Sequence, residues 1–374
     1  MPDAMHITDI VIRLCRHEQA APMADSAMRD GHGSALEFLV IEMTTDDGLT
    51  AASFGFAGRG ARAAGEIAAA SLKPFFLGRD PLAREKAWLE WRVADRWWHH
   101  VPIYAYGPFD VVCWLLAAEA AGQPLYQYIG EARDAVPAYV SSLVLADPEA
   151  YAAEALATRD AGFKAYKLHP PGRSLAEDMA AHEAAREAVG PGFTLMSDPV
   201  AAQKPSEAMR LGRLLERLDY LWLEAPLFDS DIDQLRRLTQ SLDIDIVGCE
   251  VMAKPPYSHA PYIATGAVDR VRADVSWSGG ITGTLKVART AEAFGMNCEI
   301  HTAIYHPLDL VNLHVACAIG NCDYFELLTP VDQFAFGLAR PIPIANGIAH
   351  PPGAPGLGID LDWDFIEKAT FAVL

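Results

Sequence analysis

From about residue 131 onward the sequence reads as α/β, with a parallel (β/α)-barrel as its core. Three observations carry this. Eight short apolar segments recur at near-even spacing, a helical stretch follows each of them, and an ionisable residue stands at the end of strand after strand. An open doubly wound sheet is the alternative. It would normally place a glycine-rich phosphate turn after its first strand, and SSLVLADPEA offers none.

The part before the barrel, residues 1–130, reads as mixed β then α. HITDIVIRL and ALEFLVIEMTT are rich in β-branched residues and partly alternate, as strands do. Asp80-Pro81 is expected to open a helix, with Asp as N-cap and Pro at the first helical position. FDVVCWLLAAEAAGQPLYQYIG is expected to form one further, very apolar helix.

Within residues 131–335 the candidate strands are 136–143, 165–169, 193–198, 220–224, 245–250, 270–275, 297–301 and 324–328. Intervening segments such as SLAEDMAAHEAAREAVG and DIDQLRRLTQSL begin at Ser or Asp and stop near Gly or a polar break, as helices do. Residues 336–374 are rich in Pro and Gly yet keep Ile, Leu and Trp, so they read as an extended segment packing back on the chain.

A strand buried in a parallel sheet should be apolar throughout. Here Lys167 and His169, then Asp198, Glu224, Glu250, Asp274, His301 and Glu326 break that rule, and the last six recur every 24 to 27 residues. Each interval is one βα unit, so these groups should converge on the face where barrel strands end. Asp198, Glu224 and Glu250 make an oxygen-only set, which selects a hard cation, Mg²⁺ first and Mn²⁺ second. Cys249 adjoins Glu250 and should face away from the metal. Such a cation polarises a substrate carboxylate, and Lys167 can add positive charge where an enediolate forms. His301 and His169 are candidate bases near neutral pH, and Asp274, on the strand before His301, can fix its tautomer. Glu326 reads either as a proton donor or as the partner of a cation. His314, in the apolar helix LVNLHVACAIG, reads as structural.

The 374 residues carry 51% hydrophobic and 21% charged side chains, as ordinary globular proteins do. A net charge of −19 argues against nucleic acid or anionic membrane surfaces as partners, because both need a positive footprint. No apolar run is long enough to span a bilayer, and the first residues lack the pattern of a signal peptide. Six cysteines without a C-x-x-C pair suit free thiols and a cytoplasmic setting.

In this order and spacing, GFKAYKLH, WLEAP, VGCE, ADVSWSGGIT, EIHTA and YFELL resemble the motif strands of the enolase superfamily, in its mandelate racemase-like branch. The resemblance spans nearly the whole chain. It implies a modified TIM barrel with an α+β N-terminal capping domain completed by the C-terminal segment. It implies Mg²⁺ on Asp198, Glu224 and Glu250, a His301–Asp274 dyad, a small anionic carboxylate substrate and a homo-oligomer. Capping loops 16–32 and 54–62 would select the substrate, with Arg59 as a candidate contact. Two positions depart from the family pattern: His169 stands where a second lysine is usual, and Val200 where Asn is common. These departures favour dehydration of a sugar acid to a 2-keto-3-deoxy acid over two-base racemisation. Racemisation or epimerisation of a 2-hydroxy acid or amino-acid derivative is the second reading, and a non-catalytic metal-dependent barrel the third.

Overall fold

A computed structural model describes residues 5–18, 35–58 and 60–374. Arg59 and most of the 16–32 loop therefore lie outside the described residues. The N-terminal sheet is antiparallel. Its strands β1 (Ile7–Glu18), β2 (Ala35–Thr45) and β3 (Thr50–Phe56) lie side by side, and the last strand of the chain pairs with β1. Asp80-Pro81 does not open a helix. The Asp80 carboxylate accepts from Leu82 N–H at 2.8 Å and holds a turn, so the helix starts three residues later, as Arg84–Ala94. The expected single apolar helix is two, Ile103–Ala120 and Leu125–Ile129. Gly122, at φ +64°, and Pro124 end the first and reset the chain for the second.

Helix Ile103–Ala120 is buried along most of its length because it packs on the N-terminal sheet with one face and on barrel helix Gly280–Ala293 with another. Two glycines permit that second contact. A Cβ on Gly107 would lie 2.9 Å from Val275 O, and one on Gly280 (φ +80°) would lie 2.5 Å from the Asp110 carboxylate. Asp110 accepts from Thr282 N–H at 2.8 Å, so a side chain of one helix caps the other.

The eight barrel strands are β4 (Val136–Ser141), β5 (Ala165–Leu168), β6 (Thr194–Ser197), β7 (Trp222–Glu224), β8 (Asp245–Gly248), β9 (Arg270–Ala273), β10 (Asn297–Ile300) and β11 (Phe325–Leu328). Parallel ladders run β11-β4-β5-β6-β7-β8-β9-β10, so the strand order never reverses as a doubly wound sheet requires. The β10–β11 seam is bridged by Cys298 N–H to Asn321 O at 2.7 Å and by Thr302 N–H to Glu326 Oε2 at 3.1 Å. A small hairpin, β12 (Ile344–Ala345) and β13 (Ile348–Ala349), adds to the start of β4. Helix Trp363–Ala369 then leads into β14 (Thr370–Val373), which pairs antiparallel with β1. Among the described residues, no helix is long and apolar enough to cross a membrane.

The barrel floor is an apolar cluster of Tyr139, Ala165, Met196, Trp222 and Val247, with Tyr324 against it. Side chains two residues on share the same face of a strand. One step above Ala165, Met196, Trp222 and Tyr324 come Lys167, Asp198, Glu224 and Glu326, so period-two geometry stacks a charged layer on an apolar plug.

Candidate functional site

The strand above Val247 breaks its alternation. Cys249 takes φ +69° and packs into the hydrophobic core, and this turns Glu250 toward the other acids. His259 Nε2 lies 3.0 Å from Cys249 O and 3.1 Å from Arg272 O and fastens this segment to β9. Left-handed backbone recurs at Val200, Ala201, Ala225 and Ile304, all just past strand ends. Such strain persists only where the surroundings impose it, and it clusters at functional sites.

Asp198, Glu224 and Glu250 come together: each offers one oxygen, and these oxygens lie within 4.8 Å of one another. Ligands around one Mg²⁺ at about 2.1 Å are separated by at most about 4.2 Å, so a small adjustment brings all three onto one ion. Lys167 is fully buried, with Nζ 3.1 Å from Asp198, 3.1 Å from Glu224 and 2.8 Å from Glu326. Burial alone would depress its pKa. Glu224 and Glu326 more than reverse that, and it stays an ammonium. Burial would likewise raise Asp198, but Lys167 and His169 hold its carboxyl below the usual range.

His301 Nδ1 stands 3.4 Å from Asp274 Oδ2, and Nε2 stands 3.2 Å from Glu250 Oε1. The 3.4 Å pair lacks hydrogen-bond alignment, yet neither atom has another hydrogen-bond partner among the described residues. Asp274 is aimed by its other oxygen, which accepts from Ser276 N–H at 2.5 Å and Trp277 N–H at 2.9 Å. Burial disfavours the imidazolium, but Glu250 and Asp274 outweigh it and raise His301 to about 9. Burial pushes Glu250 up to about 7; His301 opposes the rise and Asp198 and Glu224 add to it.

His169 enters the cluster but has both ring nitrogens engaged. Nδ1 lies 2.5 Å from Ser142 O and Nε2 lies 3.1 Å from Asp198 Oδ2. Glu326 is not at a strand end; it is the second residue of β11, level with Lys167, Asp198 and Glu224. Burial would raise its pKa, but Lys167 and Arg272 hold it well below the carboxylate range, which fits the cation-partner reading. His314 is structural: it accepts from Tyr126 N–H at 3.2 Å and its Nε2 lies 3.1 Å from Leu357 O.

Arg272 was not among the expected site residues. It is fully buried, grips Glu224 with Nε at 2.6 Å and Nη2 at 2.8 Å, and reaches Glu326 at 3.1 Å and the Tyr139 hydroxyl at 2.8 Å. The signal for it was present in RVRADV, where an arginine interrupts a strand that should be apolar and shares the face of Asp274. Arg272→Met is expected to destabilise the metal-free protein by roughly 3–5 kcal/mol, because Glu224 and Glu326 lose a buried partner. Urea unfolding reads this, and a loss under about 1 kcal/mol would refute the pairing argument.

The family described as enolase C-terminal domain-like matches residues 150–365. D-glucarate dehydratase from Agrobacterium tumefaciens, solved in complex with magnesium, is 32% identical; the alignment covers 99% of this chain and 100% of that one, with a TM-score of 0.87. L-talarate/galactarate dehydratase of Salmonella typhimurium is 28% identical over 322 residues, 83% of this chain and 79% of the relative. N-succinyl-L-Arg/Lys racemase of Bacillus cereus is 26% identical over 347 residues, 91% and 92% of the two chains. With a family match over more than half its length and a whole-chain likeness in both sequence and fold, this chain belongs to the enolase superfamily, in its mandelate racemase-like branch.

Proposed function

We propose that this protein is a magnesium-dependent dehydratase of a sugar acid, giving a 2-keto-3-deoxy acid. The observation that carries the reading is one facing histidine–aspartate pair beside a three-carboxylate cluster. Asp198, Glu224 and Glu250 would hold the ion; the donor set is all oxygen and its spacing suits a single small cation. When bound, Mg²⁺ supplies charge stabilisation at the substrate carboxylate.

Glu250 is the main group that keeps His301 protonated, so with that carboxylate engaged as a metal ligand His301 would be a neutral imidazole; it takes the proton from Cα, and the Cα–H electron pair moves into the carboxylate to give an enediolate. Lys167, a buried ammonium, stabilises the charge that develops there. The enediolate then collapses, the Cβ–O bond breaks, and the His301 imidazolium returns its proton to the departing hydroxyl as water. The resulting enol tautomerises to the 2-keto acid. Asp274 keeps Nδ1 toward itself, so that Nε2 faces the reacting carbon. The His169 ring nitrogens are both engaged, so it offers no free lone pair on the opposite face. A single working base suits elimination better than two-base racemisation.

A panel of mono- and diacid sugars with Mg²⁺ tests this. The expected result is a 2-keto product from at least one acid, loss of turnover in EDTA, and recovery with Mg²⁺, with Mn²⁺ as a weaker substitute. Exchange of the Cα proton with solvent deuterium without loss of water would replace dehydration by racemisation. No turnover across the panel, with Mg²⁺ binding intact, would sink the enzymatic reading of the site.

A further inference from the structure

The parallel ladder between β9 and β10 stops one rung short of where its geometry would carry it. His301 N–H donates to Ala273 O at 3.0 Å. The next rung of a parallel ladder would be Val275 N–H to His301 O. Instead Asn312, buried in helix His306–Ala318, inserts its side-chain amide between these two groups. Its Oδ1 accepts from Val275 N–H at 3.1 Å and its Nδ2 donates to His301 O at 2.9 Å. One turn earlier on the same helix, Asp309 accepts from Ala303 N–H at 2.6 Å and from the Thr302 hydroxyl at 3.1 Å. The helix therefore grips the backbone on both sides of the dyad.

We infer that Asn312 is the positioning residue of the Asp274–His301 dyad: its amide takes the place of a ladder rung and sets how far apart the two strand ends stand. The inference rests on the proposed use of the dyad. Three features of the site support it. Asp274 immediately precedes Val275, and the carbonyl Asn312 holds belongs to His301 itself, so both arms of the amide act on the dyad's own backbone. The facing dyad atoms are separated by 3.4 Å and have no other hydrogen-bond partner among the described residues, so strand spacing governs whether they align. An amide pairs both backbone groups at once, whereas without it they either go unsatisfied or close directly onto each other. Direct closure would zip the ladder by one rung and move Asp274 relative to His301.

The test compares wild type with Asn312→Ala and Asn312→Gln, the second keeping the amide on a longer arm. Three quantities are read: Mg²⁺ affinity by calorimetry, kcat and KM on an acid from the panel, and the ring-nitrogen resonances of His301 in protein labelled with ¹⁵N-histidine. Asn312→Ala is expected to lower kcat by up to about 100-fold, the cost of roughly an ångström of misplacement. Mg²⁺ affinity and KM should stay within about threefold while the His301 Nδ1 resonance shifts. Asn312→Gln should recover part of both kcat and the resonance, and it carries the comparison if the alanine variant does not fold. An unmoved resonance with unmoved kcat would overturn the assignment. So would a loss of kcat that tracks a loss of Mg²⁺ affinity, because that is general damage to the site. The resonance and the affinity need no substrate, so failure of the proposed reaction and failure of the Asn312 assignment remain separable.

Discussion

Replacing His301 with asparagine is expected to lower kcat by about 10³-fold, while Mg²⁺ binding and the folded state persist. Asparagine is close in size and can still face Asp274, so the dyad cavity is not emptied; what disappears is a group that can both accept and return a proton. If His301 carries both the abstraction at Cα and the protonation of the leaving hydroxyl, one substitution removes two proton transfers. A 10³-fold loss corresponds to about 4 kcal/mol of transition-state stabilisation. His169→Asn should cost much less, about tenfold, because a residue with both ring nitrogens engaged acts by charge and orientation. The pair of kcat values checks the argument directly. A His301 variant retaining more than a tenth of wild-type turnover, or a larger loss at His169 than at His301, would transfer the base to the opposite face.

The difference between these two histidines was only partly legible in the sequence. The eight barrel strands were, because a strand buried on both sides leaves a plain signature and several of the polar exceptions mark its C-terminal end. Asp198, Glu224, Asp274 and His301 stood out for that reason, at or one residue past the last paired position. Glu250 followed the same spacing, but the left-handed Cys249 that turns it inward has no signature in the residue types. Glu326 lies in the expected charged layer but within its strand rather than at the end, because a short apolar run does not reveal where pairing stops. Arg272 was overlooked for a related reason. Arg272 breaks the same apolar rule within RVRADV, but its residue type does not show that it grips Glu224 with two nitrogens. Asn312 is harder still, because its role depends on a ladder that ends one rung early and on a helix that reaches the gap. In the N-terminal part, local signals misled: Asp80-Pro81 has the chemistry of a helix start, but the same carboxylate satisfies a turn first.

Removing one charge from the carboxylate cluster should have two effects of opposite sign. Glu250→Gln is expected to weaken Mg²⁺ binding by at least about 100-fold, beyond the 10–100-fold typical of groups that only orient a ligand, and to abolish turnover at millimolar Mg²⁺. The same substitution is expected to stabilise the metal-free protein. Three acids with ligand oxygens within 4.8 Å of one another crowd like charge into a buried site, and burial is the largest cause pushing the Glu250 carboxyl up. Glutamine keeps the volume and the hydrogen-bonding oxygen and removes the charge. It also ends the ion pair with His301, but that histidine is partly relieved, since it too is held charged against burial. In wild type, Mg²⁺ should raise the melting temperature, because a ligand that binds only the folded state stabilises it by RT ln(1 + [L]/Kd). In Glu250→Gln, melting without metal should begin higher and the increment from added Mg²⁺ should vanish. Thermal melts of both proteins, with and without Mg²⁺, give all four values. A variant that still melts higher on adding Mg²⁺, by as much as wild type, would remove Glu250 from the ligand set. A variant less stable than wild type in the absence of metal would mean that pairing with His301, rather than repulsion among the acids, dominates at this carboxylate.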